Sequence, residues 1–214
     1  MAPLCVFTGT GTGIGKTTIA CALLRAWSRR GIRAIGLKPI ETGGTADVDA
    51  LAAASARPPP SSPYLLVDPV SPHLAARRQG RAIDPTVVAA WILSARRTAD
   101  VDVVLVELAG GLFSPITDAL VNADLVGSVA PTRVVLVAPN RLGVLHDVLA
   151  TRRAATATGC EIDAIVLSAP PESDASTATN AEELRTILRA TVIEVPRTND
   201  LDVHIEPLIA WFPR

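Results

Sequence analysis

Aromatic rings are scarce in this chain. Of its 214 residues only seven are Phe, Trp or Tyr, while 49% are apolar. Any core must therefore be assembled from Ala, Val, Leu and Ile, a composition that suits helices packed on a parallel sheet. Cysteine is also scarce: Cys5, Cys21 and Cys160 are odd in number, far apart and without a C-x-x-C pair. That excludes a disulfide framework and a cysteine metal site, and leaves three small buried side chains in a reducing compartment. No apolar run approaches the roughly 18 residues that a spanning helix needs, and no basic segment with an apolar core opens the chain. The expected setting is the cytoplasm, with no membrane partner. Charge of either sign is nearly balanced, with 20 Lys and Arg against 21 Asp and Glu. A net charge of −1 gives no electrostatic case for nucleic acid, so any phosphate binding has to be local.

What the chain does have is a glycine-rich turn placed between an apolar strand and a helix. Leu4 to Phe7 is followed by Thr8-Gly9-Thr10-Gly11-Thr12-Gly13-Ile14-Gly15-Lys16-Thr17-Thr18, and then Ile19, Leu23 and Trp27 recur at helical spacing. Backbone N–H groups can turn inward on an anion only where side chains leave room, and the first turn of the helix adds unsatisfied donors and its positive dipole end. The turn departs from G-x-x-x-x-G-K-[ST] in one respect, because its first glycine stands one residue early at Gly9. Gly11 and Gly13 keep the longer loop open. Lys16 is expected to reach the terminal phosphates and the Thr17 hydroxyl to ligate Mg²⁺.

Strands and helices then alternate to the end. Ala34 to Leu37 reads as a strand ending at Lys38-Pro39, Val101 to Val106 as a fully buried strand closing on Glu107, and Arg133 to Val137, Ile162 to Leu167 and Val192 to Val195 as three more. Helices are expected over 47–56, 85–98, within 119–130, and over 144–158 and 180–190, with a short one after Ser71-Pro72 and a last one carrying Ile205, Leu208, Ile209 and Trp211. Asp47 is read as the N-cap of its helix and Asp49 as part of the first turn. Pro58-Pro59-Pro60-Ser61-Ser62-Pro63 is too short to link domains. The reading is one domain over 1–214: a doubly wound α/β fold of the P-loop NTPase type, with about six or seven mainly parallel strands.

In such sheets ligands gather beyond the carboxyl ends of the strands. Three strand ends would deliver two lysines (Lys16, Lys38), two carboxylates (Asp49, Glu107) and a hydroxyl (Thr17) to one edge. A carboxylate closing an apolar strand is costly to bury unless it is paired or bound to a metal. The set matches what phosphoryl transfer requires, and no Cys–His or Ser–His–Asp arrangement competes with it.

At these residues the sequence resembles the dethiobiotin synthetase family, ATP-dependent ligases of biotin biosynthesis that close a cyclic urea. Thr8-Gly9-Thr10 through Gly15-Lys16-Thr17 looks like the family's lengthened P-loop, and Lys38-Pro39-Ile40-Glu41-Thr42-Gly43 like its K-P-x-x-[ST]-G segment. Asp49-Ala50-Leu51 resembles D-A-L, Ser71-Pro72-His73 with Gly80-Arg81-Ala82-Ile83 resembles S-P-H and G-R-P-I, and Val106-Glu107 with Ala109-Gly110-Gly111 resembles V-E-G-A-G-G. The likeness is strong over roughly the first 120 residues; beyond them Leu142-Gly143 and Pro196 anchor it. It implies carboxylation of 7,8-diaminononanoate by CO₂, attack of the carbamate on the γ-phosphate of ATP, and ring closure by the second amine. It implies Lys16 and Lys38 as the catalytic cations, Gly13, Ile14, Gly15, Lys16, Thr17, Thr18, Ser168 and Pro196 around the nucleotide, and Thr17, Asp49 and Glu107 around Mg²⁺. It also implies Thr12, Lys38 and Thr42 near the diamine or carbamate, and a homodimer in which the helix start at Leu142-Gly143 of one subunit meets the substrate carboxylate of the other. That helix start offers N–H groups suited to a carboxylate.

Three departures carry expectations of their own. Leu108 stands where the family has a glycine and is expected to crowd the phosphate side or shift that loop. His146-Asp147 replaces Asn-His beside the substrate carboxylate. Ser168 stands where many members have an asparagine that reads adenine, and a serine offers no such paired donor and acceptor, so base selectivity is expected to be loose. Two other classes fit parts of the pattern. A switch ATPase of the kind that positions plasmids or division sites would carry a signature lysine where this chain has Gly11. A non-catalytic nucleotide-binding descendant would not be expected to retain Lys16, Lys38, Asp49 and Glu107 together.

Overall fold

The computed structural model describes residues 1–98, 100–197 and 201–210, and the side chains of all but 202 and 203 among them. Six strands form one sheet, all neighbours parallel: β1 (Leu4–Gly9), β2 (Ala34–Leu37), β5 (Val103–Glu107), β6 (Arg133–Pro139), β7 (Ala164–Ser168) and β8 (Thr191–Val195), in the order β2-β5-β1-β6-β7-β8. A separate parallel pair, β3 (Ile40–Thr42) with β4 (Tyr64–Leu66), stands beside it. The expected six or seven mainly parallel strands are thus six in the main sheet plus this pair, whose first strand is too short to leave a periodic signal.

The central strands are near-continuous apolar runs because both of their faces are covered. Alternation along them divides the core in two. Leu4, Val6, Val104, Val106, Val134 and Leu136 face one layer, with α3 (Pro72–Arg78), α4 (Pro85–Ala95), α5 (Asn122–Val129), α6 (Val144–Ala157) and α7 (Asn180–Leu188). Cys5, Phe7, Val103, Leu105, Val135 and Val137 face the other, with α1 (Lys16–Arg29), α2 (Ala46–Ala54) and α8 (Asp202–Ile209). Trp27, a fully buried side chain on α1, and Phe7 supply aromatic bulk to this layer. The three cysteines are buried and unpaired, as the sequence predicts. Among the described residues no helix is long and apolar enough to cross a membrane. Trp211, expected in the last helix, lies outside the described residues.

The chain runs outward from β1 to β2 on one side, and later outward through β6, β7 and β8 on the other. The winding therefore reverses at β1, and the crevice beyond its carboxyl end is where a doubly wound sheet takes its ligand. Register sets what meets there. Leu37 pairs with Val106 and Phe7 with Glu107, so the next residue of β2's exit, Lys38, arrives beside Glu107 and next to the P-loop.

Candidate active site

An open cleft of about 1350 Å³ lies along this carboxyl edge. Its wall includes Thr12 to Ile19, Lys38, Asp47 and Glu107 at one end, and Pro139, Arg141, Ser168 to Pro171, Val195 to Arg197 and Leu201 at the other. Gly15 begins α1 in the left-handed region at φ 86°, a conformation that costs a side chain strain, and this turns the loop's backbone toward the helix axis. Gly111 is needed for a different reason. A Cβ there would stand 2.9 Å from the Gly9 carbonyl oxygen and 3.3 Å from the Gly11 nitrogen, so the exit of β5 packs on the P-loop only without one. The buried Asn122 holds that exit in place by donating to the Ala109 and Gly111 carbonyls, each at 2.8 Å.

Five side chains meet at the first end. Lys38 Nζ lies 2.6 Å from Glu107 Oε1 and 2.7 Å from Asp47 Oδ2, with both Lys38 and Glu107 buried. Thr17 Oγ1 lies 2.8 Å from Asp47 Oδ1 and 2.9 Å from Glu107 Oε1. Lys16 Nζ donates to the Gly11 carbonyl at 2.7 Å and is buried as well. Burial disfavours charge on Lys16 and draws its ammonium down to about 8; Glu107 opposes this and Lys38 adds to it. Burial works the same way on Lys38, but Glu107 and Asp47 outweigh it and raise that ammonium. Burial pushes the Glu107 carboxyl up against the pull of Lys38. Burial pushes Asp47 up too, but there Lys38 and the Thr17 hydroxyl prevail and hold it below the usual carboxylate range.

Asp47, not Asp49, is the second carboxylate of this cluster. The residue expected to cap α2 instead sits inside its first turn, because the helix begins at Ala46 with Thr45 before it. Phase along the helix decides the matter, two residues being just over half a turn: Asp47 faces Thr17, whereas Asp49 is exposed and accepts from the Thr45 hydroxyl at 2.8 Å. The sequence signal that could have found it was Asp-x-Asp at the helix start, where two residues of spacing put the carboxylates on different faces.

The oxygen set suits a small hard cation. One hydroxyl proton on Thr17 can serve only one of its two carboxylate neighbours, and Glu107 Oε2 is buried with no hydrogen-bond partner. Oxygens bound cis on an octahedral ion at about 2.1 Å stand about 3 Å apart, close to the spacings found around Thr17. Thr17, Asp47 and Glu107 would hold Mg²⁺. Among the described residues no group of three or more His, Cys, Asp or Glu is placed to hold a metal ion.

The remaining expected residues divide by place. Thr12, Gly13, Ile14, Gly15, Thr18, Ser168 and Pro196 line the cleft. Three lie outside the cleft wall: Thr42, half-buried at the end of β3, Leu142, which is 74% exposed, and Gly143, which starts α6 at φ 94°. Donors expected to be open at that helix start are partly engaged: Leu142 N–H donates to Asp174 Oδ2 at 2.7 Å and Val144 N–H to the Arg141 carbonyl. Asp147, in the first turn, lies 3.6 Å from Arg141. The Ser168 hydroxyl donates to the Ile14 carbonyl at 2.6 Å, joining β7 to the P-loop. Leu108 does not crowd the phosphate end, because its side chain is buried in the core layer of α3 to α7 while its N–H donates to the Phe7 carbonyl.

Known proteins resemble the chain at two levels. A family model described as an AAA domain matches residues 5–204. The ATP-dependent dethiobiotin synthetase BioD of Anaeromyxobacter dehalogenans strain 2CP-C is 39% identical over 187 residues, covering 83% of this chain and 82% of its own. Its counterpart in Nitrosospira multiformis is 40% identical over 157 residues, covering 70% and 68%. Among solved structures, the signal recognition particle receptor FtsY of Elizabethkingia anophelis superposes with a TM-score of 0.63 at 17% identity, over 100% of this chain and 66% of that one. The MinC:MinD cell division complex of Aquifex aeolicus gives 0.61 at 13% identity, over 99% and 87%. At those identities the structural likeness is one of P-loop fold alone.

Proposed function

This chain belongs to the ATP-dependent dethiobiotin synthetase family, and from that premise we propose that it carboxylates 7,8-diaminononanoate with CO₂ and closes the ring to dethiobiotin at the expense of ATP. One amine takes up CO₂ and sheds a proton to give a carbamate. A carbamate oxygen attacks the γ-phosphorus and ADP leaves; the second amine then attacks the carbonyl carbon of the mixed anhydride and sheds a proton, the C–O bond to phosphate breaks, phosphate leaves and the cyclic urea forms. The observation that carries this reading is the convergence of Lys16, Lys38, Thr17, Asp47 and Glu107 at one end of the cleft.

Each side chain has work that its surroundings suit. The P-loop backbone and Lys16 cradle the β- and γ-phosphates, where a buried ammonium acts more strongly than it would in water. Lys38, on the β2 side, faces the carbamate and the charge that builds on the transferred phosphoryl group. When bound by Thr17, Asp47 and Glu107, Mg²⁺ would neutralise charge on the phosphates. Thr12 at the mouth and Thr42 at the end of β3 are the residues for the diamine. The loops of Ser168 to Pro171 and Val195 to Arg197 take the nucleobase. Leu142 and Gly143 lie outside the wall of this cleft and serve the substrate carboxylate of a second copy in a homodimer. Such an enzyme works on small molecules in the cytoplasm.

Phosphate release followed with ATP, Mg²⁺, bicarbonate and the diamine tests the reading. Release that requires both bicarbonate and diamine is expected. Release indifferent to the diamine would make the chain a switch ATPase, and no release at all a non-catalytic binder.

A further inference from the structure

α2 lacks an ordinary side-chain cap. Thr45, its N-cap residue, turns its hydroxyl to Asp49 instead of to the helix backbone. The first N–H groups of α2 are met from elsewhere. Glu41 in β3 is buried, and its carboxylate accepts from Asp47 N–H at 2.9 Å through Oε1 and from Val48 N–H at 2.8 Å through Oε2. A negative group there also opposes the positive end of the helix. The consequence reaches the active site, because Asp47 is the residue that lends its N–H to Glu41 and its carboxylate to Thr17 and Lys38.

We propose that Glu41 is a positioning residue: from a strand, it clamps the start of α2 and thereby fixes the Asp47 carboxylate against Thr17 and Lys38. Both ends of the clamp are set by the fold. β3 is held by its pairing with β4, Glu41 opposite Leu65, and α2 packs through Leu51 and Ala54 on the layer that contains α1. With the backbone at residue 47 pinned at both N–H neighbours, the short Asp side chain has one direction in which to reach the cluster. Without the clamp, the loop Gly43-Gly44-Thr45 leading into α2, with two glycines at positive φ, is tied to the strand pair by Gly43 N–H donating to the Leu66 carbonyl at 2.9 Å, a bond that does not reach residue 47. Groups that orient a metal-ligating carboxylate typically change metal affinity by about 10–100-fold when removed.

The inference rests on Asp47 belonging to the Mg²⁺ site, so the test separates the two. Wild type, Glu41→Ala, Glu41→Gln, Asp47→Asn and Asp84→Ala are compared for Mn²⁺ binding in the presence of ADP by electron paramagnetic resonance, for half-saturating Mg²⁺ in turnover, and for melting temperature. Asp84 caps α4 by accepting from Thr86 N–H, so its loss reports what a missing cap does away from the site. Glu41→Ala is expected to weaken Mn²⁺ about tenfold or more and to raise half-saturating Mg²⁺ alike, with kcat at saturating Mg²⁺ changed much less. Glu41→Gln keeps the shape but cannot accept from both N–H groups, and loses about threefold or more; it decides the question if the alanine variant does not fold. Asp84→Ala lowers the melting temperature and leaves Mn²⁺ binding as it was. Loss in Asp47→Asn with none in either Glu41 variant, or equal loss in Asp84→Ala, overturns the role of Glu41. Wild-type Mn²⁺ binding in Asp47→Asn overturns the metal site itself.

Discussion

The two ends of the cleft are built on opposite plans. Where β1, β2 and β5 deliver their exits, charged side chains bind one another: Lys38 to Asp47 and Glu107, Thr17 to both carboxylates. Where β6, β7 and β8 deliver theirs, the polar groups serve the protein's own loops. Ser168 donates to Ile14, Asn140 to Thr177, Asn180 to Asn140, and Asp174 accepts from Leu142 and Ser176. Those bonds hold Asp174 down at about 2, the Ser176 hydroxyl contributing most. On the proposed function, one end serves as a preorganised electrostatic device for charge that develops during reaction. The other is a slot walled by prolines and small residues, with Arg141, Arg197 and Leu201 among them. Catalytic power should accordingly be concentrated at the first end, and substitutions at the second should be mild.

The largest effect expected is at the two lysines. Lys16→Ala and Lys38→Ala should each reduce turnover about 10²–10³-fold, the loss typical of one preorganised group acting on transition-state charge. Their stabilities should differ. Lys16 gives up only a bond to a loop carbonyl, whereas removing Lys38 leaves Glu107 buried without its partner, at a cost of about 3–5 kcal/mol that thermal unfolding will register. Near-normal rates in either variant would erase the contrast between the two ends.

The next effect tests phase within a single helix. Asp47→Asn should weaken the response to Mg²⁺ by about 10–100-fold, while Asp49→Asn, on the exposed face, should stay within about twofold of wild type. The two aspartates also mark where the sequence stopped being legible. The P-loop, Lys38 and Glu107 could be placed because strand, turn and helix each leave a periodic trace, and register then brings Lys38 beside Glu107. The start of α2 leaves none. It is fixed by Glu41 reaching back from β3, a strand of three residues, and by Gly43, whose N–H pairs with the Leu66 carbonyl. Leu108, by contrast, is placed by a pattern that the sequence does carry. A residue one step past Glu107 should by strand alternation point away from Glu107, into the opposite core layer, and it does.

A third test uses pH, and its two readouts should move in opposite directions. Since Lys16 is drawn down to about 8, kcat/KM for ATP should fall about tenfold per unit above that pH, because the free enzyme progressively loses the charge that meets the phosphates. Folding stability responds the other way. From about 8 to the ordinary value of 10.5 the unfolded chain binds the proton that the folded chain has released, so the Lys16 contribution to stability rises with pH across that window. Lys16→Met should remove both trends, and comparison with wild type isolates them from other titrating groups.

The smallest effect lies at the base end. Ser168 has one hydroxyl proton and gives it to Ile14, so it cannot also donate to a nucleobase; what it offers a ligand is an acceptor and a short apolar edge. Selectivity built on a paired donor and acceptor reaches factors of about 10⁴, because mispairing strands buried polar groups, whereas shape alone gives about 10–200-fold. ATP, GTP, CTP and UTP compared at equal subsaturating concentrations should therefore differ in kcat/KM by no more than about tenfold to a hundredfold. Ser168→Ala should alter that ranking little and should act instead on the P-loop, which loses its tie to β7, raising KM for all four nucleotides together. A much larger preference for ATP would mean that the neighbouring loops, Pro170-Pro171 or Val195 to Arg197, read the base through their backbone. The two ends of the cleft would then share one plan, with fixed donors provided by main chain at one end and by side chains at the other.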